Sequence, residues 1–166
     1  MSNLPTIAMN VSDVLDIEKQ SVQVEGGVWR NIRSPNALVD RSSDDIRTTY
    51  DMFKDCCTKF AVHDCLGSRE KLDDGTVGDF KFLTFQQVYT RARNFAAGLV
   101  NLGITPKQHI GIWSKNRVEW QVVAEGATTQ SIIPISLYDT LGEESSEYII
   151  KHGEITTVCC SSEVLT

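Results

Sequence analysis

An alternation between residues 109 and 160 constrains this chain more than any other feature. His109, Ile110, Gly111, Ile112, Trp113 and Ser114 form a short, mostly apolar run. A helical-period segment follows, with Trp120, Val123, Ala124 and Ala127 on one stripe. Residues 132–137 are again nearly all apolar, residues 140–153 are again helical in character, and residues 155–160 make a third short run. Strands alternating with helices imply parallel strands joined by crossover helices, an α/β arrangement. Helix starts are marked by Asn116 with Glu119 at the third position, and by Thr140 with Glu143 at capping-box spacing. Glu143, Glu144 and Glu147 suit the positive end of the last helix, Lys151 and His152 suit its negative end, and Gly153 stops it. The run 132–137 reads as a strand covered on both faces, except that Pro134 favours an edge. Small residues near Gly126 allow the preceding helix to approach a sheet closely. Ser161, Ser162 and Glu163 look like the cap of one more helix.

Upstream lies a lead-in. Thr48 or Thr49 caps a helix running to about residue 59, with Phe53, Cys56, Cys57 and Phe60 on one face. Strands over 61–67 and 80–84 flank Asp73, Asp74 and Gly75, which supply a turn and make a hairpin. Thr84 and Gln87 form a capping box. Phe85, Val88, Ala92, Phe95, Ala96 and Leu99 keep one helical face until Gly103 provides a left-handed cap and Pro106 prevents continuation. Residues 1–44 read as an N-terminal arm. Residues 11–17 fit one short helix, and Val22, Gln23, Val24, Gly26, Gly27, Val28 and Trp29 fit either a small hairpin or an extended arm. Arg30, Arg33, Arg41 and Arg47 are interspersed with acids and read as solvated surface.

Charge and cysteine usage narrow the function. With 16 Lys plus Arg against 22 Asp plus Glu the net charge is −6, which opposes nucleic-acid binding. No run reaches the length of a spanning helix, and the first nine residues have neither the basic flank nor the apolar core of a signal peptide. The reading is therefore intracellular: cytoplasmic, or peripheral on an organelle membrane. Asn10, Val11 and Ser12 form a sequon that such a chain would not use. The five cysteines, Cys56, Cys57, Cys65, Cys159 and Cys160, include two adjacent pairs and make a poor disulfide framework. They read as reduced thiols, with Cys56 and Cys57 packing a core. The sharper alternative, a metal site from Cys56, Cys57, His63 and Cys65, lacks the usual paired-ligand spacing of zinc.

Chemistry-bearing motifs are scarce. There is no Gly-rich phosphate loop and no nucleophile elbow. His63, His109 and His152 are far apart and read as structural. Tyr138 and Asp139 follow a strand on its carboxyl side, where α/β sheets bind ligands. For Asp139 a functional acid and a helix cap are both open, the cap being the simpler role.

Three groups of residues carry a family resemblance: Ile110-Gly111-Ile112; Asn116-Arg117-x-Glu119-Trp120; and Pro134-x-x-Leu137-Tyr138-Asp139-Thr140-Leu141-Gly142. Together they resemble the long-chain acyl-CoA synthetases (long-chain fatty acid–CoA ligases) of eukaryotes, in the adenylate-forming, AMP-binding superfamily. Leu66-Gly67-Ser68-Arg69-Glu70, Thr84-Phe85-Gln86-Gln87-Val88-Tyr89, Gly98-Leu99 and Gln20-Ser21-Val22 also fit, so the likeness runs from about residue 20. Val118 stands where the family usually has proline.

The resemblance implies that fatty acid and ATP, with Mg²⁺, give an acyl-adenylate and pyrophosphate, and that coenzyme A then displaces AMP. It further implies that 45–166 is the N-terminal part of an adenylation domain. The fold expected is an arm, a helix and a β-hairpin leading into an incomplete parallel βαβαβ sheet. The family's phosphate loop, Tyr-Gly-x-Thr-Glu segment, nucleotide-binding aspartate and catalytic lysine have no match here. No catalytic, cofactor-binding or metal residue is therefore assigned, no cofactor is expected bound, and the residues alone are expected to be inactive. A non-catalytic interaction module on the same scaffold is the alternative. An incomplete sheet leaves an unpaired edge, which predicts self-association.

Overall fold

A computed structural model describes residues 20–32, 34–38 and 43–165. The helix expected at 11–17, the sequon at Asn10, and Arg33 and Arg41 lie outside the described residues. The chain divides after Asp44 into two compact units.

In the first unit, β1 (Ser21–Gln23) pairs antiparallel with β2 (Trp29–Asn31), so of the two open readings the hairpin is the one found. Its turn over Glu25–Gly27 places Gly26 and Gly27 at φ of +81° and +78°, a region that favours glycine. Arg30 is not plain solvated surface: it is half-buried opposite Val22, and its Nε is enclosed without an acceptor among the described residues.

The second unit begins with α1 (Thr49–Lys59). Thr48 Oγ1 accepts from the Asp51 amide at 3.0 Å and Asp51 Oδ2 accepts from the Thr48 amide at 2.9 Å, a complete capping box. Next, β3 (Asp64–Lys71) and β4 (Val77–Thr84) form an antiparallel hairpin around Gly75, which sits at φ +83°. Both strands differ from expectation: the ladder starts at Asp64 and reaches out to Lys71 and Val77. Residues 69–71 are charged and carry no strand signal, yet Arg69 donates to the carbonyls of Gly78 and Val77 at 2.9 and 3.2 Å and lies over the Phe80 ring.

Helix α2 (Phe85–Asn101) starts and stops as expected. Thr84 and Gln87 cap reciprocally at 2.9 and 3.3 Å. Val88, Ala92, Ala96 and Leu99 are buried, and Gly103 at φ +85° ends the helix while the Ile104 amide reaches back to Leu99 O.

The parallel sheet has the order β6-β5-β7, with β5 (His109–Trp113) between β6 (Ile133–Leu137) and β7 (Thr157–Cys160). Helix α3 (Val118–Thr129) links β5 to β6, and α4 (Glu143–His152) links β6 to β7. The βαβαβ order and α/β class are therefore those the alternation implied. Ile110, Ile112 and Ile132 pack with Leu99, Val123, Ala124 and Ala127 into one core between the sheet and α2/α3. Gly126 serves a different contact from the one expected. A Cβ there would lie 2.7 Å from Ala92 O, so its smallness brings α3 against α2 rather than against the sheet.

Three further expectations fail. Asn116 does not cap α3: Arg117 is the N-cap, extended at φ −159°, with no side-chain capping bond, and Glu119 instead accepts from Arg117 Nε at 2.8 Å. Thr140 does not cap α4 either, because the helix starts two residues later, behind Gly142. β6 is not covered on both faces: Ile133 is 43% exposed and only Leu137 is fully buried, and among the described residues β6 is also an edge strand. Pro134 is thus where proline is tolerated. After Ser161 the chain makes a short 3-10 turn over Ser162–Val164.

Candidate functional site

The carboxyl ends of β5 and β7, the segment after β6, the N-terminus of α3 and strand β3 surround an open groove of about 1330 Å³. In an open α/β sheet this is where a ligand is received, because loops from neighbouring strands diverge there. Four cationic side chains, Arg69, Lys71, Lys115 and Arg117, meet three acids, Glu119, Asp139 and Glu163. Arg117 sits between two of them: Nε donates to Glu119 at 2.8 Å, and Nη1 lies 3.8 Å from Glu163. The hydrogen bond to Glu119 raises Arg117 above its ordinary pKa, and the same bond lowers Glu119. Glu163 is lowered first by the Ser161 hydroxyl and also by the fields of Arg117 and Lys115. Lys115 Nζ is 3.9 Å from Asp139. Trp113 Nε1 is enclosed beside the groove without an acceptor among the described residues, and an indole N–H can only donate.

Asp139 therefore lies in the groove, facing Lys115, and is not the cap of α4. Tyr138 is largely exposed beside it. Lys115, Arg117 and Glu163 were missed by the sequence reading. The rule that singled out Asp139 also finds them, since each follows the carboxyl end of a strand. Arg69 and Lys71 carry no such signal, because only the tertiary fold brings the hairpin to the sheet end.

The histidines hold structural contacts. His109 Nδ1 bonds Gly153 O, which fixes that nitrogen as the protonated one and ties β5 to the exit of α4. His63 meets Phe60 edge-on at 5.9 Å, and His152 stacks on Tyr148 at 5.3 Å. Among the described residues no three Cys, His, Asp or Glu side chains converge as a cation site, so Cys56, Cys57, His63 and Cys65 are not assembled into one. Burial, with Cys65 and Cys56 nearby, pushes the Cys57 thiol up to about 11, which disfavours the thiolate that metals and electrophiles need. Cys65 is raised for the same reason, and burial also raises Glu125, partly offset by its bond from Gln121 at 2.8 Å. For Mg²⁺ the groove is likewise a poor fit, because each of its acids already faces a cation.

Among the described residues no helix is long and apolar enough to cross a membrane. Solved structures share this architecture. The anthranilate CoA ligase AuaEII, in complex with anthranoyl-AMP, superimposes with a TM-score of 0.63 at 19% identity, covering 74% of this chain and 22% of that one. The luciferase-like enzyme of the mealworm Zophobas morio gives 0.63 and 19%, covering 75% and 28%. In sequence, the chain is 37% identical to fatty acyl-CoA synthetase B of Dictyostelium discoideum over 84% of its own length and 21% of that protein's. It is 36% identical to the peroxisomal long chain acyl-CoA synthetase 6 of Arabidopsis thaliana, over 83% and 20%. To long-chain-fatty-acid–CoA ligase 5 of Rattus norvegicus it is 33% identical, over 92% and 22%. The chain thus spans about a fifth of the length of the curated relatives it matches. Residues 64–166 match the model of the AMP-binding enzyme family, and the chain belongs to that family.

Proposed function

We propose that these residues form the N-terminal part of a long-chain fatty acid–CoA ligase. That enzyme would join a fatty acid to coenzyme A at the expense of ATP, releasing AMP and pyrophosphate. The identity of 30–37% to proteins named as fatty or long-chain acyl-CoA synthetases is the observation that carries this reading. In it, 1–44 is an arm and 45–166 opens the adenylation domain. The groove is one wall of the substrate site, and its residues position loops rather than perform chemistry. Its seven charged side chains are four cations against three acids, with Arg117 and Lys115 already paired. A polyphosphate entering alone would have to displace those carboxylates. ATP, Mg²⁺ and CoA are accordingly assigned to the whole enzyme, with none held by these residues alone. The enzyme is placed inside the cell, in the cytoplasm or peripherally on an organelle membrane.

The test measures acyl-CoA formation from oleate, ATP and CoA by the 166-residue chain, beside the intact mass of the native protein recovered with an antibody to this region. The expected result is no turnover by the chain alone and a native mass several times 18.5 kDa. Turnover by the isolated chain would overturn its assignment as scaffold. A native mass near 18.5 kDa would leave the second reading, a non-catalytic module that associates with itself through its sheet edge.

A further inference from the structure

Helix α3 carries two acids in opposite surroundings. Glu119 is exposed and bonded to Arg117. Glu125 is half-buried where α3 meets α1 and β3, within electrostatic reach of Cys57 on the first and Cys65 on the second. Its side chain accepts a hydrogen bond from Gln121 Nε2 at 2.8 Å, and among the described residues no cation faces it. The neighbouring elements explain why. α1 brings Cys57, 3% exposed, to the junction, while its Lys59 stays in solvent, bonded to Asp55 at 2.7 Å. β3 contributes Cys65, and His63 in the preceding turn packs on Phe60. α2 meets α3 through Ala92 and Phe95; its Arg91 acts on Glu119, and its Arg93 lies over Tyr89. β6 has no titratable side chain, and His109 of β5 bonds Gly153 O. The junction itself is built wholly from α1, β3 and α3, within residues 49–129, and involves no sheet edge.

A carboxylate in such a place is costly to ionise, because burial removes its water and one amide donor replaces little of it. We propose that Glu125 is a proton-dependent latch: protonated, it lets α1 and β3 close on α3, and ionised, it loosens them. β3 runs on from Cys65 to Arg69 and Lys71, so the latch bears on the wall of the groove as well as on α1. The direction follows from linkage. Burial raises Glu125 above the ordinary carboxylate range while the junction is closed, and hydration restores that range when it opens. The closed junction therefore holds the proton more tightly. Its penalty is absent below the ordinary range, grows as pH rises through the raised value, and is complete above it.

The experiment is amide exchange of the 166-residue chain from about pH 4.5 to about pH 8, corrected for the intrinsic pH dependence of exchange, beside Glu125→Gln. Glutamine keeps the acceptor for Gln121 and loses only the charge. In the unaltered chain the opening of α1 and of the first residues of β3 is expected to rise about three- to tenfold across that range, a factor of about ten for each pH unit by which the closed and open midpoints differ. In Glu125→Gln it should stay within about twofold. The comparison cancels His63 and every other group that titrates in both chains. Parallel profiles overturn the proposal, because a purely structural role for the Gln121 bond would leave both slopes alike. So does an equal rise at β5, which would place the titration on the whole fold and not on this junction. Should Glu125→Gln fail to fold, the carboxyl carbon shift of Glu125 in the unaltered chain decides. A midpoint above those of the exposed glutamates supports the latch, and one at or below them overturns it.

Discussion

Ile110 and Ile112 of β5 are 0% and 2% exposed, whereas Phe80 and Phe82 of β4 keep 60% and 50% of their surface in solvent. Both segments are strands with regular ladders, yet they are held by different forces. β5 lies between two neighbours and beneath α2 and α3, so each isoleucine is removed from water at about 1.5–3 kcal/mol of transfer free energy. The hairpin is held by its turn, by Arg69 against backbone carbonyls, and by ring on ring: Phe80 stacks on Phe82 at 5.9 Å. A ladder is therefore not evidence of a core. The sheet is fixed by what covers it, and the hairpin by cross-strand pairs worth only about 0.2–1 kcal/mol each.

The largest effect should come from emptying the covered strand. Ile110→Ala removes a fully buried side chain at the centre of the core and is expected to cost about 2–5 kcal/mol, read by urea denaturation. A loss below about 1 kcal/mol would mean the core collapses around the cavity and β5 is not its centre. The contact between the two covering helices comes next. Gly126→Ala gains about 1 kcal/mol of helix propensity, but its Cβ would stand 2.7 Å from Ala92 O and 3.0 Å from Phe95 Cδ1. Backbone does not yield as a side chain does, and overpacking of about 1–3 kcal/mol should leave a net loss near 1 kcal/mol. A stabilised Gly126→Ala would show that α2 and α3 slide apart freely.

The contrast between regions also explains what was legible in sequence. α2 was readable from end to end because its capping box, apolar period and terminal Gly103 agree with one another. The starts of α3 and α4 were misplaced because Asn116 and Thr140 look like caps, whereas the actual caps, Arg117 and Gly142, make no side-chain bond. Gly153 ends α4 as its sequence implies, but the left-handed turns at the exits of both helices carry no signal. Ser131 and Glu154 take the left-handed conformation at φ +56° and +49°, with six-to-one bonds from Ile132 to Ala127 and from Ile155 to Ile150. Neither carries the glycine that advertises such a turn. In the groove, Asp139 was found by its place after a strand. The hairpin's contribution, Arg69 and Lys71, depends on where a charged, solvent-facing ladder folds back, which local pattern does not encode.

That ladder supplies the smallest effect and the sharpest discrimination. Phe82 pairs with Gly67, and its ring fills the space a Cβ would occupy, at 2.4 Å. Removing the ring in Phe82→Ala uncovers the Gly67 backbone and ends the stack on Phe80, but it empties no core. Global stability should fall by no more than about 1 kcal/mol. The loss should be local, because regions with few buried contacts open independently of the rest. Amides of β3 and β4 should exchange about two- to fivefold faster while those of β5 hold their rates. If β5 amides accelerate in step with the hairpin, the two regions unfold as one unit, and the distinction between a covered sheet and a self-supported hairpin fails.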